Sequence, residues 1–87
     1  MAWFVYMVQC SDNSLYTGIT TDVTRRVAEH NGDTKAPGAK YTAARRPVRL
    51  VYQEDAADKS AASKREHYLR TRTRSEKEQL CVQYKNT

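Results

Sequence analysis

Residues 2–20 read AWFVYMVQCSDNSLYTGIT, and this stretch decides the fold. Its first half is almost entirely apolar, rich in β-branched and aromatic side chains, and neither alternating face turns polar before Gln9. That pattern predicts a strand buried on both faces. Ser11-Asp12-Asn13 is a turn signal, and residues 14–20 supply the returning strand. The stretch therefore predicts a β-hairpin with Tyr6 on its first strand and Tyr16 on its second.

A short helix is predicted directly after the hairpin. Asp22 is a suitable N-cap, and Asn31-Gly32 is a suitable stop after His30. At about 100° per residue, one arc of this helix faces the protein body. That arc holds Val23, Arg26, Val27 and His30. Arg25 and Glu29 fall on the opposite side, with Arg25 turned toward water.

Residues 32–47 carry two prolines, two glycines and four basic side chains, and they are predicted to form a long loop. A loop of this length is uncommon in a compact domain and is usually functional. Residues 48–53 predict a third strand. Asp58 caps a second helix over about residues 59–71, and Thr73-Arg74-Ser75-Glu76 starts a third. The second helix is predicted to face inward through Ala61, Ala62, Arg65, Tyr68 and Leu69, with Glu66 at the edge.

The element order predicts the fold class α+β, a small three-stranded β-sheet flanked by three helices in the order β-β-α-β-α-α. The long connection between the second and third strands leaves a mixed sheet open. With 87 residues there is room for one small domain, which is predicted to span residues 1–87.

Composition narrows the partner and the compartment. The net charge of +5 favours a polyanionic partner such as nucleic acid over an anionic membrane surface. Cys10 and Cys81 form no CxxC pair and are interpreted as reduced thiols, with a disulfide as the alternative. No apolar stretch approaches the roughly 20 residues that span a bilayer, and the chain start lacks signal-peptide features. A cytoplasmic protein with no membrane partner is expected.

The order of the two tyrosines and the inward arginine resembles the GIY-YIG endonuclease superfamily, over residues 4–80. Two stretches, Tyr16-Thr17-Gly18-Ile19-Thr20-Thr21-Asp22 with Arg25-Arg26 and Gly38-Ala39-Lys40-Tyr41-Thr42, are more specific. They resemble the small stand-alone bacterial group called YhbQ-like or UPF0213. The resemblance implies a metal-dependent DNA endonuclease that hydrolyses phosphodiester bonds with one Mg²⁺ or Mn²⁺.

The resemblance also implies site residues. Tyr6 matches the last residue of the GIY element and Tyr16 the first residue of the YIG element. Arg26 matches the family arginine, His30 a position that is often histidine or tyrosine, and Glu66 the metal-binding glutamate. Either tyrosine has been proposed as general base in such enzymes, and Tyr16 is the interpretation favoured here.

These residue types suit the chemistry. An arginine fork neutralises phosphate and keeps its proton, and one carboxylate can hold a hydrated divalent cation. A tyrosine, with a pKa near 10, acts as a base only where cations favour the phenolate. Each residue also has a structural interpretation: strand tyrosines fill cores, and Glu66 can pair with Arg70. Gly18 is either a strand kink or a point of close approach for a phosphate or a helix.

The long loop is interpreted as a nucleic-acid contact that binds mainly phosphates. Its contributing residues are Lys35, Lys40, Tyr41, Arg45 and Arg46, with the Tyr41 ring available to stack on a base. For the basic residues of the last two helices, a nucleic-acid contact and a plain solvated face are left open. Single-stranded or branched DNA is the expected form, and a repair or recombination role follows by analogy.

Some positions depart from the family pattern. Phe4 stands where GIY has its glycine, and Ile19 stands where some members have a lysine thought to help activate the base. Asn86, the one candidate for the family's late asparagine, is predicted to lie in a frayed tail and is not assigned that role. A non-catalytic nucleic-acid-binding module of the same fold, acting with a partner protein, is the alternative. A protein-interaction domain with a basic face is a third hypothesis. The oligomeric state is left open.

Overall fold

The computed structural model describes residues 2–86, so Met1 and Thr87, the ends of the predicted domain, lie outside the described residues. The elements are β1 (Trp3–Gln9), β2 (Leu15–Thr20), α1 (Val23–His30), α2 (Lys40–Ala43), β3 (Arg49–Ala56), α3 (Lys59–Arg70) and α4 (Arg74–Lys85). The α+β class and the order of the three strands and three main helices are confirmed. The one-turn helix α2 is an addition, inside the segment predicted as loop.

The sheet has the order β2-β1-β3 and is antiparallel throughout, so a mixed sheet is wrong. The long connection does join two strands that run in the same direction, β2 and β3. However, β1 lies between them and runs antiparallel to both. As the central strand, β1 is buried on both faces over residues 5–8, as its apolar run predicted.

The two faces of the sheet carry separate cores. On one face Tyr6 and Val8 of β1 pack with Val23 of α1. On the other face Val5 of β1 packs with Ala62 and Leu69 of α3. Helix α1 therefore covers one face, and α3, joined by α4, covers the other. Burying these apolar side chains is the main stabilisation available to so small a domain.

Helix α3 faces inward differently from the prediction. Ala62 and Leu69 are fully buried, but Tyr68 is 47% exposed. At about 100° per residue, Tyr68 lies roughly 110° from the line through Ala62 and Leu69, whereas Glu66 lies only about 50° from it. Helical geometry thus overrides the apolar character of the tyrosine ring. Tyr68 instead lies under the guanidinium groups of Arg65 and Arg72.

No helix within residues 2–86 is long and apolar enough to cross a membrane. Cys10 and Cys81 are both free; Cys10 is buried in the core and Cys81 is half-buried. The cytoplasmic location stays a prediction.

Candidate active site

Tyr6 lies at the centre of the candidate site, and Gly18 makes room for it. The two residues are partners across the β1–β2 ladder, and Tyr6 is 1% exposed. A Cβ atom on Gly18 would lie 2.5 Å from the Tyr6 hydroxyl oxygen and 2.7 Å from its Cζ. The close approach that Gly18 permits is therefore that of the Tyr6 ring, rather than of a helix or a phosphate.

The Tyr6 hydroxyl is tied to α1 through a buried hydrogen-bond chain. Its oxygen lies 2.6 Å from His30 Nε2, and His30 Nδ1 lies 2.8 Å from the Thr42 hydroxyl. The Thr42 hydroxyl in turn donates to the carbonyl oxygen of Ala39 at 3.0 Å. His30 and Thr42 are both fully buried. The chain thus links β1, the last residue of α1 and the one-turn helix α2.

Burial sets the protonation of this pair. It raises the pKa of Tyr6 to about 12, while the positive charge of Arg26 opposes the rise. It lowers the pKa of His30 to about 4, and Arg26 adds to that fall. At neutral pH both groups are therefore neutral, and the histidine tautomer decides which of them donates in this hydrogen bond. Tyr6 is a poor base in this state, which favours Tyr16 for that role.

Arg26 lies on α1 beside Tyr6, as the helix periodicity predicted. Its Nη1 donates to Glu29 Oε1 at 2.8 Å and to the carbonyl oxygen of Pro37 at 3.2 Å. Its side chain is 27% exposed, so the guanidinium can reach a ligand from solvent. Arg26 therefore links α1 to the long loop, and it is close enough to Tyr6 to affect the pKa of the Tyr6 hydroxyl.

Glu29 does not lie on a solvent side of α1 opposite Arg26, so that prediction is wrong. Its side chain is only 13% exposed and pairs with both Arg26 and Arg25, the latter at 3.6 Å. The i,i+3 and i,i+4 spacings bring both guanidinium groups within reach of this carboxylate. The long loop also covers α1 here, because a Cβ on Gly38 would lie 2.7 Å from the Glu29 carbonyl oxygen. Arg25 itself is exposed, as predicted.

The Tyr16 ring lies between the buried hydrogen-bond chain and the exposed ring of Tyr41. Its ring contacts the His30 ring edge-on at a centroid distance of 5.3 Å and stacks on Tyr41 at 5.8 Å. Tyr41 is 40% exposed, and the Arg45 guanidinium lies 4.0 Å from its ring centroid. Asp12 of the hairpin turn holds Arg45 at 3.0 Å. Within residues 2–86, no hydrogen bond engages the Tyr16 hydroxyl, which leaves it available to a substrate water.

Glu66 reaches the site from α3, on the other side of the sheet. Its negative charge is close enough to Tyr6 to contribute to the raised pKa of that hydroxyl. Its Oε2 lies 3.3 Å from Arg70 Nη2, which also donates to the Thr17 carbonyl oxygen of β2. The pairing with Arg70 that was an alternative interpretation is therefore present. The second carboxylate oxygen makes no hydrogen bond inside the described part of the chain.

The predicted loop cations fall into two groups. Lys35 and Lys40 are exposed and make no ion pair with any described residue. Arg45 is paired with Asp12, and Arg46 donates to the carbonyl oxygen of His30 at 2.7 Å, where it satisfies the end of α1. Among the described residues, Arg46 therefore has no carboxylate partner, like the two lysines, but its side chain is held at the end of α1 while the lysine side chains are free. On the last two helices and in the turn between them, the four arginines within residues 65–74 each pair with a glutamate. These pairs are Arg65–Glu54, Arg70–Glu66, Arg72–Glu76 and Arg74–Glu78.

The structure brings Tyr6, Tyr16, Arg26, His30 and Glu66 into one neighbourhood at the β1–β2 side of the sheet. Sequence reasoning missed two further members. Thr42 lies in the quoted Gly38–Thr42 stretch, but nothing in a polar loop signals that one threonine is buried. The second is Glu29. Its i,i+3 spacing from Arg26 indicates that the two side chains are neighbours, whereas the helical-wheel argument placed them on opposite sides of α1.

Comparisons of this chain with a family model, with related sequences and with a solved structure agree with one another. The family model of the GIY-YIG catalytic domain matches residues 2–79. A UPF0213 protein of Desulfotalea psychrophila is 59% identical over 69 residues, which is 79% of this chain and 61% of that protein. A UPF0213 protein of Haloquadratum walsbyi is 56% identical over 77 residues, 88% of this chain and 83% of that protein. The solution NMR structure of a UPF0213 protein from Bacillus halodurans matches with TM-score 0.57 and 41% identity, covering 94% of this chain and 84% of that one. The match therefore spans under two thirds of the Desulfotalea relative.

Proposed function

Because the chain belongs to the GIY-YIG catalytic-domain family, we propose that it is a metal-dependent endonuclease that hydrolyses phosphodiester bonds in DNA. The observation that carries the proposal is the convergence of charge on one buried hydroxyl. Arg26 on α1 lowers the pKa of the Tyr6 hydroxyl, and the carboxylate of Glu66 on α3, on the opposite face of the sheet, is close enough to raise it.

In the proposed reaction Arg26 binds the scissile phosphate and neutralises the charge that develops in the transition state. Tyr16 first gives its phenolic proton to solvent and then, as the phenolate, accepts a proton from the attacking water while the water oxygen bonds to phosphorus and the bond from phosphorus to the leaving oxygen breaks. No protein group is hydrogen-bonded to the Tyr16 hydroxyl within residues 2–86, which leaves it available for this role. Tyr6 holds its proton toward His30, so its oxygen lone pairs are left to accept hydrogen bonds from Arg26 or the water. His30 is the buried acceptor that keeps Tyr6 in this orientation.

The donor set fits a weakly held, hydrated divalent cation. Among the described residues, no group of three or more His, Cys, Asp or Glu side chains is arranged to hold a metal ion. One carboxylate, Glu66, offers an oxygen without a hydrogen bond, and Mg²⁺ commonly binds one carboxylate together with waters and substrate phosphates. When bound, Mg²⁺ or Mn²⁺ would stabilise the leaving oxygen. A repair or recombination role follows by analogy only.

The exposed Lys35 and Lys40 on the long loop support phosphate-dominated binding with little base readout. Single-stranded or branched DNA suits this arrangement, because a domain of this size has little surface for reading a duplex. Tyr41 is covered by Arg45 and stacked on Tyr16, so base stacking there requires Arg45 to move or to provide the platform itself.

One observation favours a second candidate, a non-catalytic nucleic-acid-binding module that acts with a partner protein. The contact between Glu66 and Arg70 already balances the charge of the carboxylate that the metal would use. A domain in which this ion pair persists would bind DNA through its loop without cleaving it.

The test is cleavage of labelled single-stranded, duplex and branched DNA in Mg²⁺, in Mn²⁺ and with chelator. Arg26→Ala is compared with Arg74→Ala, because each arginine donates to a glutamate at 2.8 or 2.7 Å but only Arg26 lies in the site. We expect Arg26→Ala to lose about 100- to 1,000-fold in rate, as for removal of one transition-state donor, and Arg74→Ala to keep the wild-type rate. Salt-sensitive binding by folded wild type without cleavage would establish the second candidate instead.

A further inference from the structure

Thr42 is a buried polar residue in a segment that is otherwise mostly exposed. Its sequence neighbours Lys40, Tyr41, Ala43 and Ala44 are all exposed, yet Thr42 is fully buried. Its hydroxyl bonds to His30 Nδ1 and to the carbonyl oxygen of Ala39. Because this buried hydroxyl contacts a ring nitrogen, it influences where the histidine proton lies as well as how the core is packed.

Counting protons along this chain fixes the histidine tautomer. A carbonyl oxygen only accepts, so the single hydroxyl proton of Thr42 is given to Ala39. The Thr42 oxygen must then accept from His30, which places the histidine proton on Nδ1. Nε2 is left with its lone pair, and it accepts the hydroxyl proton of Tyr6 at 2.6 Å. The direction of every bond from Ala39 to Tyr6 therefore follows from Thr42.

We infer that Thr42 is a positioning residue that holds His30 in the Nδ1–H tautomer. The Tyr6 hydroxyl is therefore correctly oriented only when the segment of residues 38–42, which carries Thr42, is docked on α1. Gly38 is the second observation that supports this docking. A Cβ there would lie 2.7 Å from the Glu29 carbonyl oxygen and 2.9 Å from His30 Cα, so this backbone rests directly on the end of α1. The same segment carries Lys40 and Tyr41, which are proposed to contact DNA. Docking of this segment on α1 and correct orientation of the Tyr6 hydroxyl therefore occur together.

The test reads the tautomer directly, by ¹⁵N NMR of the histidine rings at pH 7.5. The exposed His67, the only other histidine, is the internal reference. Wild type is expected to show a protonated Nδ1 and a bare Nε2 at His30. Thr42→Val, which keeps the shape and removes the acceptor, is expected to move His30 toward the Nε2–H form. Thr42→Ser, which restores the acceptor, is expected to return the wild-type spectrum.

Gly38→Ala serves as the second variant, because it leaves Thr42 intact but forces the segment away from α1. We expect it to scramble the His30 tautomer as Thr42→Val does, in protein that circular dichroism shows to be folded. An unchanged Nδ1–H tautomer in folded Thr42→Val, or an unchanged one in Gly38→Ala, would overturn the inference.

The kinetic part rests on the proposed nuclease function. There, Thr42→Val should lower kcat by about 100-fold with little change in KM, and Thr42→Ser should restore it. A changed tautomer with an unchanged kcat would overturn the positioning role. If wild type cleaves no DNA, the nuclease proposal fails on that result, and the spectra still decide whether Thr42 sets the tautomer.

Discussion

Protonation of His30 should make the stability of this protein fall in mild acid. The ring is fully buried and its pKa is lowered from the usual value near 6.5 to about 4. The unfolded chain therefore binds a proton at higher pH than the folded one. The stabilisation from the neutral buried ring is present above pH 6.5 and is lost as the pH falls from 6.5 toward 4.

The size of the loss follows from the two pKa values. At pH 5 the unfolded histidine is almost fully protonated and the folded one is mostly neutral, so the free energy of unfolding is lower by about 2 kcal/mol than at pH 7.5. The full loss below pH 4 approaches about 3 kcal/mol. With the urea dependence usual for a small domain, the midpoint at pH 5 should fall by about 1–2 M.

The assay is urea unfolding between pH 7.5 and pH 5, followed by the fluorescence of Trp3, the single tryptophan. His30→Gln cannot be protonated in this range, so its free energy of unfolding should lose about 2 kcal/mol less than that of wild type. All other titrating groups are shared and cancel in the comparison. If the variant does not fold, NMR titration of His30 in wild type replaces it. Equal acid sensitivity of the two proteins, or titration of His30 near 6.5, would refute the reasoning.

Three further predictions concern the same site and its loop. Gly18→Ala forces a Cβ onto the Tyr6 ring and should lower the free energy of unfolding by about 1–3 kcal/mol; a wild-type urea midpoint would contradict this. Tyr6→Phe leaves the buried histidine nitrogen without its donor and should cost about 1–3 kcal/mol in the same assay, whereas no loss would mean that this hydrogen bond is not formed. Replacing Lys35 and Lys40 by Ala should reduce the slope of log binding constant against log salt for single-stranded DNA by about 0.7 per lysine. Lys59→Ala, on α3 beside Trp3, is the control, and an equal loss of slope there would argue against a loop contact.

The elements were predictable because their signals are local. The apolar run of β1, the caps Asp22 and Asp58 and the turn at Asn13 each depend on a few neighbouring residues. Both aspartates do cap their helices, each accepting from the backbone three residues on, and Asn13 adopts a positive φ of 69°. The sheet order was less accessible, because the insertion of β1 between two strands of the same direction is a matter of long-range pairing.

The site was predictable in part, and for a different reason. Arg26 and His30 follow from helix periodicity, which turns both toward Tyr6. Burial of Thr42 depends on how the long loop folds back on α1, which no periodic pattern encodes. The inward position of Glu29 likewise depends on cover from that loop, because an isolated helix would leave it in water.

The proposed nuclease is tested most directly by single-turnover cleavage of DNA in Mg²⁺ by Glu66→Gln beside Glu78→Gln. The two glutamates are matched, because each pairs with an arginine four residues away on its helix, but only Glu66 lies near Tyr6. We predict that the cleavage rate of Glu66→Gln falls by more than the roughly 10- to 100-fold that is typical of residues that only support a metal ligand. Glu78→Gln should cleave at the wild-type rate. Equal rates for wild type, Glu66→Gln and Glu78→Gln would contradict the assignment of the site.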